Sequence, residues 1–229
     1  MSQNLLKRIS TSIILISLLL FINFSHQYIF VSSLLIVSLI ICFEANDIYS
    51  KLPKPHLFKK NTSIKKFNFK FLLMNLTTFC YVFFIFCNFS YEIYRLESPT
   101  FFLYVISICF FTDIGGYVFG KIVGGKKLSK ISPNKTISGV IGSFIFSILP
   151  LILFLNFSYL DLEFNLNFIV FSLLISLISQ IGDLFISFVK RKAKIKDTGK
   201  ILPGHGGILD RVDGIIFAVP FSYFLLRLI

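Results

Sequence analysis

Three carboxylates and a dense run of cations crowd the last part of the chain: Asp183, Asp210 and Asp213 stand around Lys190, Arg191, Lys192, Lys194, Lys196 and Arg211. Carboxylates held close repel one another unless a cation neutralises them. Hard oxygen ligands of this kind suit Mg2+, which keeps waters and takes substrate phosphate oxygens. The lysines and arginines around such a centre would hold the phosphates. The blander alternative is that Asp210 simply pairs with Arg211 or a neighbouring lysine. Between the two groups of acids lies Pro203-Gly204-His205-Gly206-Gly207. Four helix-breaking residues around one histidine let backbone N–H groups approach an oxyanion or phosphate.

A helix must carry the first acid. Ser172, Ser176, Ser179, Asp183, Ser187 and Lys190 step by three or four residues, so they share one helical face. Serines on such a stripe are ordinary packing and hydrogen-bonding residues between membrane helices. An acid several residues inside an apolar helix is costly unless paired or metal-bound, so Asp183 is a functional candidate. Asp210 and Asp213, three apart just before the last apolar run, share a face at a helix start.

The rest of the chain places these residues in a bilayer. Of 229 residues, 55% are hydrophobic and 15% charged, with a mean hydropathy of +0.81. That balance excludes a water-soluble enzyme, a disordered tail, a collagen-like fibre and a secreted disulfide scaffold. The fold class is an all-α integral membrane protein, a single polytopic domain over 1–229 with N-terminal helices over about 1–98 and site-bearing helices and loops over about 99–229. Apolar runs at Ile9 to Phe24, Tyr28 to Phe43, Phe69 to Phe89, Phe101 to Val123, Ser138 to Phe157, Phe168 to Val189 and Gly214 to Ile229 give about seven transmembrane helices, within a range of six to eight. The first run follows Lys7 and Arg8 without a small-residue cleavage site and reads as a retained helix.

The net charge of +12 is distributed by side. Alternate loops hold 21 of the 23 lysines and arginines, and the others hold Arg95 and Arg227 with Glu92, Glu97, Asp161 and Glu163. The positive-inside rule therefore puts the N-terminus and the basic loops in the cytoplasm, and explains the charge without nucleic acid. Cys42, Cys80, Cys87 and Cys109 lie in apolar runs with no metal-binding spacing and read as small buried hydrophobes. His26 and His56 are isolated and read as solvated or interfacial.

A second polar segment runs from Asp113 through Gly115, Gly116, Tyr117, Gly120 and Lys121 to Ile131, Ser132, Pro133, Asn134, Lys135, Thr136 and Gly139. Gly116 and Gly120 form a small-xxx-small pair that predicts close helix packing. Gly120 to Lys126 echoes a phosphate loop. Lys127 replaces its required Ser or Thr, however, and the flanks are membrane helix instead of strand, so the match fails.

Taken together, Ser187-x-x-Lys190-Arg191-x4-Lys196-Asp197-x-Gly199-x3-Pro203-Gly204-His205-Gly206-Gly207-x2-Asp210-Arg211-x-Asp213 resembles the signature of the phosphatidate cytidylyltransferases, or CDP-diacylglycerol synthases. Ser179-Gln180-x-Gly182-Asp183 and the Asp113 to Gly139 segment are similar to that family too. The likeness is strong in the C-terminal half. The N-terminal half matches only in kind, with a hydrophobic hairpin and an acid, Glu44, ending its second helix. Two departures stand out: Ser138 occupies a position where the family usually has Glu, and the chain is shorter than typical members by one or two helices.

The resemblance implies transfer of a cytidylyl group from CTP to phosphatidate, giving CDP-diacylglycerol and pyrophosphate for phospholipid biosynthesis. It implies Asp183, Asp210 and Asp213 as ligands of Mg2+, with room for a second cation, and Lys190, Arg191 and Lys196 as catalytic cations. Lys135, Arg211, Ser187, His205, Gly206 and Gly207 would contact substrate phosphates or shape the loop around the nucleotide. It further implies a bacterial cytoplasmic-membrane enzyme with its site on the cytoplasmic side, membrane lipids around it and a homodimeric assembly. Competing readings are a CTP-dependent polyprenol-type lipid kinase and a non-catalytic lipid-binding scaffold or transporter. A transport path would place ionisable residues at mid-membrane depth in several helices, whereas here they cluster at the helix ends.

Overall fold

Hydrophobic runs of this length become helices in a bilayer because each backbone N–H and C=O must be satisfied within its own segment. The computed structural model describes residues 3–53, 60–128, 132, 135–156 and 165–228, with side chains from Ile9 onward and, after the first basic loop, from Phe69 onward. Of the residues named above, His56, Ile131, Pro133, Asn134, Phe157, Asp161, Glu163 and Ile229 lie outside the described residues, as do the Lys7 and Arg8 side chains. All seven apolar runs are largely helical where described. They fall in α1 (Gln3–Phe24), α2 (Gln27–Ser50), α3 (Lys60–Cys80) continuing through a π-helical segment (Tyr81–Cys87) into α4 (Asn88–Leu96), α5 (Pro99–Ile122), α6 (Ile137–Ser147) with α7 (Leu149–Asn156), α8 (Leu166–Lys192), and α10 (Ile215–Leu226). A four-residue helix, α9 (Leu209–Val212), precedes the last run.

Among the described residues five helical stretches are long and apolar enough to cross a membrane: Gln27–Ser50, Phe69–Leu96, Pro99–Ile122, Ile137–Leu155 and Leu166–Lys192. Ile9–Phe24 is a shorter apolar helix. The 12 residues of α10 reach only about 18 Å, against a hydrocarbon core of about 30 Å. Large apolar side chains such as Phe43, Leu72, Phe84, Ile122 and Ile181 point outward, as helices in contact with lipid require. The same logic governs the cysteines, all four of which are free thiols: only Cys109 is buried, and Cys80 is exposed. The expectation of burial fails at Cys80 because in a bilayer an apolar surface position already lies out of water.

Internal packing divides the chain into two compact units, Met1–Cys87 with Val189–Val212, and Asn88–Phe188 with Asp213–Ile229. In the first, Phe30, Ile41, Ile48 and Val82 are buried. Two polar contacts also cross between its helices: the Ser38 hydroxyl lies 2.8 Å from the Cys87 thiol and the Tyr49 hydroxyl 2.7 Å from Thr78.

In the second unit α5 forms the core, with Tyr104, Val105 and Ile108 fully buried. Ser98 starts α5 by accepting the Phe101 N–H at 3.0 Å, with Pro99 in the first turn. Thr136 starts α6 by accepting the Gly139 N–H at 3.1 Å. These two helices meet backbone to backbone. A Cβ on Gly116 would lie 2.7 Å from the Ser143 hydroxyl, and one on Gly139 would lie 2.8 Å from the Gly116 carbonyl. The small-residue pair thus does what its spacing predicts. The connection folds back through paired backbone bonds, Leu128 N–H to Lys135 O at 2.8 Å and Ile137 N–H to Lys126 O at 3.0 Å, which fixes Lys135 at the mouth of α6.

Candidate functional site

The serine stripe of α8 faces protein, not lipid. Ser172, Ser176 and Ser179 are buried. The Tyr104 hydroxyl lies 2.8 Å from Ser172, the Thr112 hydroxyl donates to Ser176 at 2.9 Å, and Ser143 donates to the Thr112 carbonyl at 2.8 Å. Every one of these hydroxyls is used to join α5, α6 and α8, so this part of the stripe is interhelical packing. Ser172→Ala is expected to cost about 0.6–1 kcal/mol, read by unfolding in mixed micelles.

One turn further along the same stripe the chemistry changes. Asp183 forms an ion pair with Lys135 from the α5–α6 connection. The Ser187 hydroxyl donates to its Oδ1 at 3.2 Å, and Asp213 lies within hydrogen-bond reach of its carboxylate. Asp213 is itself buried and accepts the Gly214 N–H at 2.9 Å. Close helix approach makes this possible. A Cβ on Gly182 would lie 3.0 Å from the Asp213 carbonyl and 2.5 Å from the Phe217 ring. Two adjacent carboxylates and one lysine therefore share a single partly buried pocket of charge.

Asp210 occupies a different arrangement, in the first unit. Helix α8 ends in a Schellman turn: Ile195 N–H bonds the Lys190 carbonyl and Lys194 N–H the Arg191 carbonyl, each at 3.0 Å. Lys194 adopts the left-handed conformation there at φ 57°. The chain then runs back so that Lys190 Nζ sits 2.7 Å from Asp210 Oδ1, with both side chains nearly buried. The other oxygen, Oδ2, accepts the Thr198 N–H at 2.7 Å and the Gly207 N–H at 3.0 Å, with the Thr198 hydroxyl at 3.1 Å. Burial pulls the Asp210 carboxyl upward, but the Lys190 hydrogen bond, the two amides and the Lys190 charge outweigh it and hold the group below the ordinary carboxylate range. Because the folded value is the lower one, the stabilisation is complete above about pH 4 and fades as the pH falls through that folded value.

The glycine-rich loop owes its composition to these contacts. Gly206, at φ +86°, passes so close that a Cβ would lie 2.7 Å from Asp210 Oδ2. The oxyanion that the Gly207 amide meets is thus the protein's own. His205 faces α1, its Nδ1 2.7 Å from the Thr11 hydroxyl and its Nε2 3.4 Å from Ser12. Arg211 donates from its Nη2 to the His205 carbonyl at 2.9 Å, and Arg191 donates to the Ile195 carbonyl at 3.1 Å. Lys196 and Asp197 are exposed.

The structure therefore groups Lys135, Asp183, Ser187 and Asp213, and separately groups Lys190, Asp210, Gly206 and Gly207. It also introduces a residue to which sequence reasoning gave no role: Glu44 of α2, buried, contacts the loop before α9. The signal for it was present, since it is a carboxylate near the end of an apolar run. Among the described residues no three histidine, cysteine, aspartate or glutamate side chains gather as a metal-binding group. The Asp183–Asp213 pair still suits Mg2+, which is commonly bound through one or two carboxylates and completed by waters and substrate phosphates. Asp210 Oδ1 reaches a cation only by exchange with Lys190.

A multi-helix membrane protein with paired acids and lysines near helix ends is the class that fold and site define. Residues 54–229 match the sequence model of the Cytidylyltransferase family, and the chain belongs to that family. Its relatives include phosphatidate cytidylyltransferases of Staphylococcus aureus strain COL, 44% identical over 142 residues (60% of this chain, 53% of the relative), and of Staphylococcus haemolyticus, 43% identical over 136 residues (58% and 51%). A third, of Bacillus subtilis, is 41% identical over 130 residues (56% and 48%). The chain spans about half the length of the curated relatives it matches.

Proposed function

We propose that this protein transfers the cytidylyl group of CTP to phosphatidate, forming CDP-diacylglycerol and releasing pyrophosphate. The observation that carries the reading is the Lys135–Asp183–Asp213 group, within a chain whose relatives bear the phosphatidate cytidylyltransferase name. A phosphatidate oxygen attacks the α-phosphorus of CTP and the bond to the pyrophosphate oxygen breaks. Two polyanions must approach, so the site has to neutralise charge on both and on the leaving group. Asp183 and Asp213 would hold Mg2+, which supplies Lewis-acid stabilisation of that charge. A second cation belongs to the same proposal, as does Asp210, the third carboxylate ligand that the family resemblance implies, which becomes available when Lys190 turns to phosphate.

Lys135 and Lys190 are each held beside a carboxylate and turn to phosphate oxygens as substrates enter. Arg191, Lys196 and Arg211 are exposed cations available to the triphosphate or the lipid headgroup. Ser187 orients Asp183, while His205, Gly206 and Gly207 set the loop's path. No covalent nucleophile is needed, since the lipid phosphate supplies its own oxygen. The basic loops support a reaction at the cytoplasmic face of a bacterial membrane, and a homodimeric assembly belongs to the same proposal.

Two labels distinguish this chemistry from a lipid kinase. With purified protein, Mg2+, phosphatidate and CTP, label at the α-phosphate is expected in the lipid product and label at the γ-phosphate in pyrophosphate. Transfer of the γ-label to a polyprenol would establish the kinase instead. Absence of lipid labelling from folded protein, in bilayers as well as detergent, would leave a non-catalytic lipid-binding protein.

A further inference from the structure

Glu44 lies on α2, ten residues before the stretch that matches the family model begins. It is 5% exposed. Its carboxylate accepts the Ile208 N–H on Oε1 at 3.0 Å and the Leu209 N–H on Oε2 at 2.8 Å, and the Thr198 hydroxyl lies 2.8 Å from Oε2. Those two amides immediately precede Asp210. Thr198 stands between the two acids, its N–H on Asp210 and its hydroxyl on Glu44. The surrounding chain is shaped to admit the glutamate. A Cβ on Gly199 would lie 2.6 Å from Oε1, and a Cβ on Gly207 would collide with both carboxylate oxygens and with Thr198.

We propose that Glu44 is a positioning residue for Asp210: by gathering the amides of Ile208 and Leu209 and the hydroxyl of Thr198, it fixes the backbone from which Asp210 projects toward Lys190. The inference rests on the reading of Asp210 as part of the site. A buried carboxylate satisfied by two amides and a hydroxyl costs less than an unpaired one, and it ties the N-terminal helices to a loop 154 to 165 residues away. A neutral amide here turns one donor toward another, and an apolar side chain leaves both amides without an acceptor. A carboxylate that only filled space would be replaceable by methionine.

The test compares Glu44→Gln, Glu44→Met and Thr198→Val with wild type by amide hydrogen exchange and by steady-state kinetics in the same detergent. In the glutamate variants, exchange over 198–209 is expected to rise at least tenfold while the α5–α8 peptides keep wild-type protection. Turnover should fall about tenfold to a hundredfold, with KM for CTP and phosphatidate within about threefold, since Asp210 is misplaced without loss of the phosphate-binding cations. Thr198→Val, which removes one hydroxyl and keeps the side-chain volume, should show the same pattern more weakly and decides the matter if the glutamate variants do not fold. Unchanged exchange over 198–209, or wild-type turnover in Glu44→Met, overturns the proposal. The exchange readout needs no turnover. A wild type that makes no cytidylyl lipid would refute the proposed function and still leave the Glu44 assignment decided by exchange.

Discussion

Asp183→Asn is expected to lower turnover about a thousandfold or more while the protein stays folded. The asparagine keeps the size of the side chain and the Ser187 contact, but removes the charge that faces Lys135. Loss of a single charge-stabilising group at a reacting centre costs a hundredfold to a thousandfold, and a carboxylate proposed to hold Mg2+ as well is expected to exceed that range. Folding tolerates the change because Lys135 is only partly buried, at 30% side-chain exposure, and can turn to water. Lys135→Met acts in the opposite sense. It leaves Asp183 and Asp213 adjacent without their lysine, at a cost of about 1–3 kcal/mol, and Mg2+ should recover that loss by binding the folded state. Melting curves with and without Mg2+ therefore separate the roles: the Mg2+-induced rise should be larger than wild type in Lys135→Met and absent in Asp183→Asn. Equal rises in all three proteins would remove Asp183 from the metal site.

Much of this arrangement was legible in the chain. Apolar runs broken by basic loops define the helices, because a bilayer leaves a hydrophobic backbone no other solution. The three- and four-residue steps from Ser172 to Asp183 located the buried face of α8, and Gly116 with Gly120 located the contact with α6. What the chain did not reveal is which polar group satisfies which. Pro203 to Gly207 reads equally well as a cradle for phosphate or for a carboxylate, and only the fold shows that the Gly207 amide is on Asp210. Glu44 and Thr198 are separated by 154 residues, so no local spacing links them. The simple pairing weighed for Asp210 names a lysine or Arg211. In the fold the partner is Lys190, while Arg211 turns to the His205 carbonyl.

That pairing makes Lys190→Met the most destabilising substitution expected at the site. Lys190 and Asp210 are 10% and 6% exposed in their side chains, and removing one partner of a buried pair strands the other, at about 3–5 kcal/mol. Asp210→Asn should also damage the loop by a route that depends on the lysine. With its oxygen turned to the Thr198 and Gly207 amides, the new amide group points its own N–H donors at the ammonium. Combining the two changes removes that clash, so the double variant should be less destabilised than the sum of the singles, with a coupling of about 2 kcal/mol or more. Neither Asp210→Asn nor the double variant should turn over CTP at more than about a hundredth of the wild-type rate, because both lack the charge at Asp210 whether or not the fold recovers. Wild-type protein should approach the behaviour of Asp210→Asn only well below pH 4, where the depressed carboxyl finally takes up its proton. Strict additivity of the two substitutions, or loss of the pair's contribution already at pH 5, would mean that the Lys190–Asp210 contact does not hold the loop.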